Sequence, residues 1–183
     1  MLAHRRTAPA FADTPVLRAI LEQIIEAATW APNHRNTEPW RFHVLVGSGR
    51  TDLGDRVAVW LRETEGPTTE AQIDSICRKL VRSPVVIAVS QIGSPDDAVR
   101  HLEDYAACSA ATQNLLLAAH AEGLVTKWST GAMVTMPPAF EHLGLAEADR
   151  IVGFVYLGYP PDGTAVAPAE RAPAVVSWRG FED

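Results

Sequence analysis

Cysteine is scarce: the 183 residues include only Cys77 and Cys108, and the two form no CxxC pair. That usage supports neither a disulfide framework nor a zinc ribbon. Both thiols read as small core or near-core side chains in a reduced, cytoplasmic setting. The histidines are not arranged for a metal. His34 and His43 fall on different elements, His101, His120 and His142 lack ligand spacing with Cys or carboxylates, and HExxH is absent. No metal site is expected. The net charge is -6 and no Lys/Arg run extends beyond Arg5-Arg6, so no nucleic-acid partner is expected. No apolar stretch approaches the ~20 residues of a bilayer span, and no apolar h-region follows the first basic residues. Neither a membrane partner nor secretion is expected. Walker A, GxSxG and a strand-borne GxGxxG are missing too, which excludes a phosphate loop, a nucleophile elbow and a Rossmann route to nicotinamide.

What is present reads as alternating helices and strands over a length that suits one domain, or a subunit whose core a second copy completes. Asp13-Thr14-Pro15 can open a helix, with Asp13 or Thr14 as cap. Val16, Leu17, Ile20, Leu21, Ile24, Ile25 and Ala28 then recur at helical spacing, up to about Trp30. Trp40 to Val46 reads as a strand ended by Gly47 and Gly49. Helices are expected from about Thr51 to Thr64 and from Thr69 to Val81. The apolar run Pro84 to Ser90 reads as a central strand buried on both faces.

The longest helix is expected from about Ala98 to Glu122, closed by Gly123. Its middle, Ala106-Ala107-Cys108-Ser109-Ala110-Ala111-Thr112, is made of small residues that let another helix approach closely. Leu124 to Trp128 reads as a short strand. Thr135 is expected to cap a helix with Pro137 and Pro138 in its first turn, ending near Gly144. Arg150 to Gly158 reads as a further apolar strand. The stretch from Thr51 to Asp97 is expected to act as a lid over a cleft. From Tyr159 onward no period is visible, yet Val175, Val176, Trp178 and Phe181 are apolar residues that a free tail does not need. Residues 159-183 therefore read as an extended arm on a single domain, 1-183.

Three segments could carry chemistry. Trp30-Ala31-Pro32-Asn33-His34-Arg35-Asn36-Thr37-Glu38-Pro39-Trp40 is crowded with hydrogen-bonding groups and stiffened by two prolines. It is long for a connection, where about 4–6 residues is usual, so it suggests a ligand loop. Arg5-Arg6-Thr7 could clamp a phosphate through charge-assisted bonds; seen alone, it more often describes a solvated basic segment. Lys127-Trp128-Ser129-Thr130-Gly131 could offer backbone N–H groups to a flat heteroaromatic ring, or be an ordinary turn beside a core tryptophan.

In chain order these pieces resemble the FMN-dependent nitroreductase family, in particular its short NAD(P)H nitroreductase branch. Arg5-Arg6-Thr7 is similar to the family's opening Arg-Arg-Ser. Ala31 to Trp40 is similar to its Ala-Pro-(Ser/Asp)-x-x-x-x-Gln-Pro-Trp. Gly123-Leu124 leading to Trp128, and Ile151-Val152-Gly153-Phe154-Val155-Tyr156-Leu157-Gly158-Tyr159-Pro160, resemble the later blocks.

The resemblance implies an α+β fold, with a central, mostly antiparallel sheet wrapped by helices in an intertwined homodimer whose C-terminal arm crosses to the partner. It implies FMN at the dimer interface, NAD(P)H as reductant, and a nitroaromatic, quinone or related small-molecule acceptor reduced by a ping-pong mechanism. By carry-over, Arg5, Arg6 and Thr7 would hold the phosphate and ribityl chain. Trp128, Ser129, Thr130 and Gly131 would line the isoalloxazine. Trp30 and His34 would reach it from the other subunit, and Arg171 would help with the phosphate. The flavin carries the chemistry, so no catalytic side chain is expected. Family members usually carry a helix before the Arg-Arg pair, and Gln where this chain has Glu38. Those departures motivate an alternative reading, a non-catalytic FMN-binding or interaction protein on the same fold.

Overall fold

The computed structural model describes residues 2–64, 68–162 and 171–180. Helix α1 spans Arg18–Thr29 and buries Leu21, Ile24 and Ala28, one face of the apolar pattern. It begins later than Asp13-Thr14-Pro15 suggested. Leu17 is the N-cap, with extended backbone and no side-chain cap bond. Tertiary contact overrides the local cap: the Ala12 N–H donates to the Tyr159 carbonyl at 2.9 Å, which holds the preceding segment extended.

Strand β1 (Trp40–Val46) ends at Gly47, whose φ of 51° makes the reversal, and α2 (Ser48–Glu63) starts at once. Gly49 therefore lies inside α2 rather than ending the strand, because Gly47 alone completes the turn. Helix α3 (Glu70–Val81) opens on a full capping box, with Thr69 and Gln72 each bonding the other's backbone N–H. Strand β2 (Val85–Gln91) is buried at every position, as its continuous apolar run predicts. Helix α4 (Ala98–Ala121) is followed by Gly123 at φ 75°. Strand β3 spans Val125–Ser129, α5 spans Pro137–Leu143, and β4 spans Arg150–Gly158.

Thr135 does not cap α5. Its hydroxyl donates to the Ala132 carbonyl at 3.0 Å within the 3-10 turn Ala132–Thr135, and Met136 takes the N-cap position. Pro137 still occupies the first helical position, where its missing N–H costs nothing.

The strands form one sheet in the order β1-β2-β4-β3, with every strand pair antiparallel. This is the expected α+β architecture. One face packs against α1 and α4 through Ile24, Ala28, Cys108, Ala111, Leu115, Val89 and Val155. The small side chains of Ala107, Cys108 and Ala111 give α1 its close approach. The other face packs against α2, α3 and α5 through Leu53, Val57, Leu80, Phe154 and Leu143. Each fully buried Leu or Phe here contributes about 1.5–3 kcal/mol.

That second core corrects the lid expectation. The stretch from Thr51 to Asp97 contains the central strand β2, and α2 and α3 are core layers anchored by the fully buried Leu53 and Leu80. The arm is described only in part: residues 163–170 and Phe181 lie outside the described residues. Residues 171–180 form no regular element, with Val175 and Trp178 largely exposed. Among the described residues no helix is long and apolar enough to cross a membrane, and no His/Cys/Asp/Glu group could hold a metal ion.

Candidate cofactor site

The N-terminal segment is strapped to the edge strand. Thr7 forms a parallel bridge with Thr126, and the Ala8 N–H donates to the Thr126 carbonyl at 2.9 Å. This fixes Arg5 and Arg6 beside the start of β3 and the last turn of α4. Both guanidinium groups are half-buried, and neither has an ion pair or hydrogen bond among the described residues. Two uncompensated cations on a chain of net charge -6 are a local anion site in waiting.

Trp128 and Ser129 end β3, and Thr130 and Gly131 make the turn that follows. Because β3 is an edge strand, the backbone groups on one of its sides face away from the sheet. The Trp128 indole packs on the α1–α4 core, and its Nε1–H is buried without an acceptor among the described residues. A buried donor left unpaired costs about 1–3 kcal/mol. Thr126 and Ser129 are separated by about 10 Å along the strand. The two arginines and the Ser129–Gly131 turn thus share one strand edge at a spacing that a ribityl chain can bridge. The residues present fit FMN.

Trp30 and His34 lie elsewhere. Trp30 caps α1 and is 81% exposed. His34 opens the 3-10 turn His34–Asn36; its Nδ1 is 3.4 Å from Glu103 Oε1, and Arg35 Nε donates to its Nε2 at 3.1 Å. Arg35, Asn36 and Glu38 all have positive φ, a strained run for residues with side chains. Side-chain bonds hold it: the Glu38 N–H donates to Asn33 Oδ1 at 3.0 Å, and the Thr37 hydroxyl donates to the buried Asp104 carboxylate at 2.6 Å. The Glu38 side chain is exposed, so its carboxylate meets water.

Glu103 sits near the start of α4 and the Arg5–Arg6 strap near its end, roughly 25 Å apart along the helix. Within one protomer His34 therefore lies at the opposite end of α4 from Arg5. Arg171 is exposed and does not line the cavity beside Arg5 and Arg6.

Residues 2–159 match the model of the Nitroreductase family. The chain belongs to that family. It is 30% identical over 162 residues to the NAD(P)H nitroreductase-type protein YdjA of Escherichia coli (strain K12), covering 87% of this chain and 86% of YdjA. Among solved structures it is similar to a nitroreductase-like family protein from Bacillus cereus, with 32% identity and a TM-score of 0.75 over 91% of this chain and 89% of that one. It shares its fold with the FMN and NADPH-dependent nitroreductase NfnB from Sphigopyxis sp. strain HMH, with a TM-score of 0.80, 21% identity, and coverage of 98% of this chain and 97% of NfnB.

Two residues that shape this Nitroreductase family site escaped sequence reading. Asp104 anchors the Thr37 end of the polar loop, but it lies far along the chain inside an ordinary helical pattern. Gly153 makes room for Trp128: a Cβ there would fall 2.2 Å from Nε1. A glycine inside an apolar strand signals a close approach, although not by which residue.

Proposed function

We propose that this chain is an FMN-dependent oxidoreductase that takes hydride from NAD(P)H and reduces nitroaromatic, quinone or related acceptors in a ping-pong cycle. The observation that carries the reading is the uncompensated Arg5–Arg6 pair, strapped to the same edge strand that ends in Trp128 and Ser129. Family membership supports it. Bound FMN would supply the two-electron relay between reductant and acceptor.

The protein's part is binding and orientation. Arg5 and Arg6 would hold the phosphate through charge-assisted bonds, each contributing about 1.5–3 kcal/mol. The Thr7 hydroxyl would take the adjacent ribityl end. Trp128, Ser129, Thr130 and Gly131 would line the ring, with backbone N–H groups at its polar edge and the indole as packing surface. No side chain of the site is assigned as acid or base.

The site would be completed by a second copy. His34 is too far along α4 to serve its own protomer's clamp, so it and the nearby Trp30 would serve the partner's. Leu17, Val99 and Leu102 are each more than two-thirds exposed on α1 and α4, an apolar face suited to a homodimer. A groove of about 770 Å³ runs beneath Val44 and Val46 at the free β1 edge. The arm of the partner, residues 159–183 with Arg171, would cross to that edge. The rest of the chain forms one domain on this reading.

An anaerobic absorbance titration of the FMN-reconstituted protein with NADH and then NADPH tests the proposal. Bleaching of the band near ~450 nm at stoichiometric reductant is expected. Tight FMN binding without bleaching by either nucleotide would instead favour a non-catalytic flavin-binding protein.

A further inference from the structure

The last turn of α4 places His120 against the N-terminal strap. His120, Arg5, Arg6, His4 and Thr126 together line a cavity of about 50 Å³. Among the described residues, no acidic side chain lines it. His120 is half-buried, and its side chain, like those of Arg5 and Arg6, has no hydrogen bond or ion pair among the described residues. Four basic side chains converging on one acid-free cavity is not a random draw from a chain with 22 Asp and Glu against 16 Lys and Arg.

The cavity's size also discriminates. A single water-sized probe needs roughly 10–15 Å³, so there is room for a few heavy atoms and none for a fused ring system. A tetrahedral oxyanion is the group of that size that matches the charge. The helix end sharpens the point. The carbonyl terminus of α4 carries partial negative charge, which would repel an anion approaching it. A side chain that donates hydrogen bonds from this last turn offsets that field where the anion must sit.

We propose that His120 is a phosphate-binding residue, which with Arg5 and Arg6 completes the seat for the terminal phosphate of FMN. The inference rests on the FMN reading above and adds a residue to it. His120 donates an imidazole N–H to a phosphate oxygen from the side of the cavity opposite the strap. The two arginines supply the remaining charge, so the seat recognises a phosphate monoester and not the isoalloxazine.

The test compares flavins that differ only in the phosphate. Dissociation constants for FMN and riboflavin are measured by fluorescence titration on the unaltered protein and on His120→Gln and His120→Arg. Gln is a good helix former at this half-buried position, and equal melting temperatures verify that the fold is kept. In His120→Gln, FMN affinity is expected to fall about tenfold while riboflavin affinity stays within about twofold. His120→Arg is expected to keep the preference for FMN. An unchanged FMN constant in His120→Gln, or equal weakening of both flavins, overturns the role of His120 alone. If the unaltered protein binds neither flavin, or binds both equally, the FMN reading and this inference fall together.

Discussion

Trp128 lies so close over Gly153 that any side chain at residue 153 would displace it: a Cβ would stand 2.2 Å from Nε1 and 3.0 Å from the Ser129 carbonyl. The two residues lie on neighbouring strands, with Trp128 paired to Val155. Gly153→Ala is therefore expected to push the indole out of its seat and bend the end of β3. Overpacking of this kind costs typically about 1–3 kcal/mol. Urea unfolding should report that loss, and flavin titration should report weaker FMN and riboflavin binding alike, since the ring side is disturbed. A variant with unchanged stability and unchanged affinity would mean that the indole seat is not part of the site.

His43 supplies a pH dependence of stability. Its Nε2 is 2.9 Å from the Ser90 hydroxyl, across β1 and β2. Burial holds its imidazole below the usual histidine range; Arg41 pushes the same way, and Asp149 opposes both. The unfolded chain regains the ordinary value near 6.5 and so binds the proton first as pH falls. The contribution of His43 is thus fully present above about pH 6.5 and is lost as pH drops through its folded-state value. The free energy of urea unfolding should be higher at about pH 7.5 than at about pH 5.5, and His43→Asn should flatten that difference. An equally steep pH profile in the variant would place the effect on other groups.

The capping box of α3 gives a local test. Removing the Thr69 hydroxyl takes away the acceptor for the Gln72 N–H and the hydroxyl's own bond to Gln72 Oε1, while the Thr69 N–H still donates to Gln72 Oε1. Thr69→Ala should cost about 1 kcal/mol. The box is solvent-exposed and far from the strap, so thermal unfolding should shift while flavin affinity does not. A change in affinity would tie α3 to the cofactor site.

Neither thiol should be reactive in the native protein. Burial pushes the Cys108 thiol up to about 12, and the nearby Asp104 adds to the shift. Burial raises Cys77 as well, followed by Asp55 and Asp74. The thiolate is the nucleophile, so a disulfide reagent at about pH 8 should titrate both cysteines only after denaturation. Rapid labelling of the folded chain would contradict the burial of Cys108.

The legible parts of this molecule are those whose signal is local. The buried run of β2, the Gly123 stop after α4, the prolines at the start of α5 and the order of the motif segments all read directly from neighbouring residues. What stayed hidden depends on distant partners. The start of α1 is set by an Ala12–Tyr159 bond, and the strained run from Arg35 to Glu38 is held in part by Asp104. His120 sits in a helical pattern that says nothing of the strap beside it. The family resemblance joins Arg5 and His34 at one cofactor, and only the structure shows that the length of α4 separates them within a protomer.

That separation makes the dimer the decisive test of the site. Among the described residues no strand pairs with the outer edge of β1, Val46 is 49% exposed, and Val44 and Val46 face a groove. Exposed strand edges invite a further strand, and a chain segment carrying apolar side chains satisfies both the edge and the groove. Residues 171–180 have that character, with Val176 at 55% exposure and Val175 fully exposed. Deleting residues 171–183 is expected to shift sedimentation from dimer to monomer at micromolar concentration. FMN affinity should fall with it, because the clamp of one protomer would lose Trp30 and His34 of the other. Val46→Lys, which charges the groove without shortening the chain, should weaken the dimer in the same direction. If the truncated protein remains a dimer with unaltered FMN affinity, α1 and α4 carry the interface by themselves. If it becomes a monomer that binds FMN as before, the two-subunit site is refuted and the clamp on β3 is sufficient.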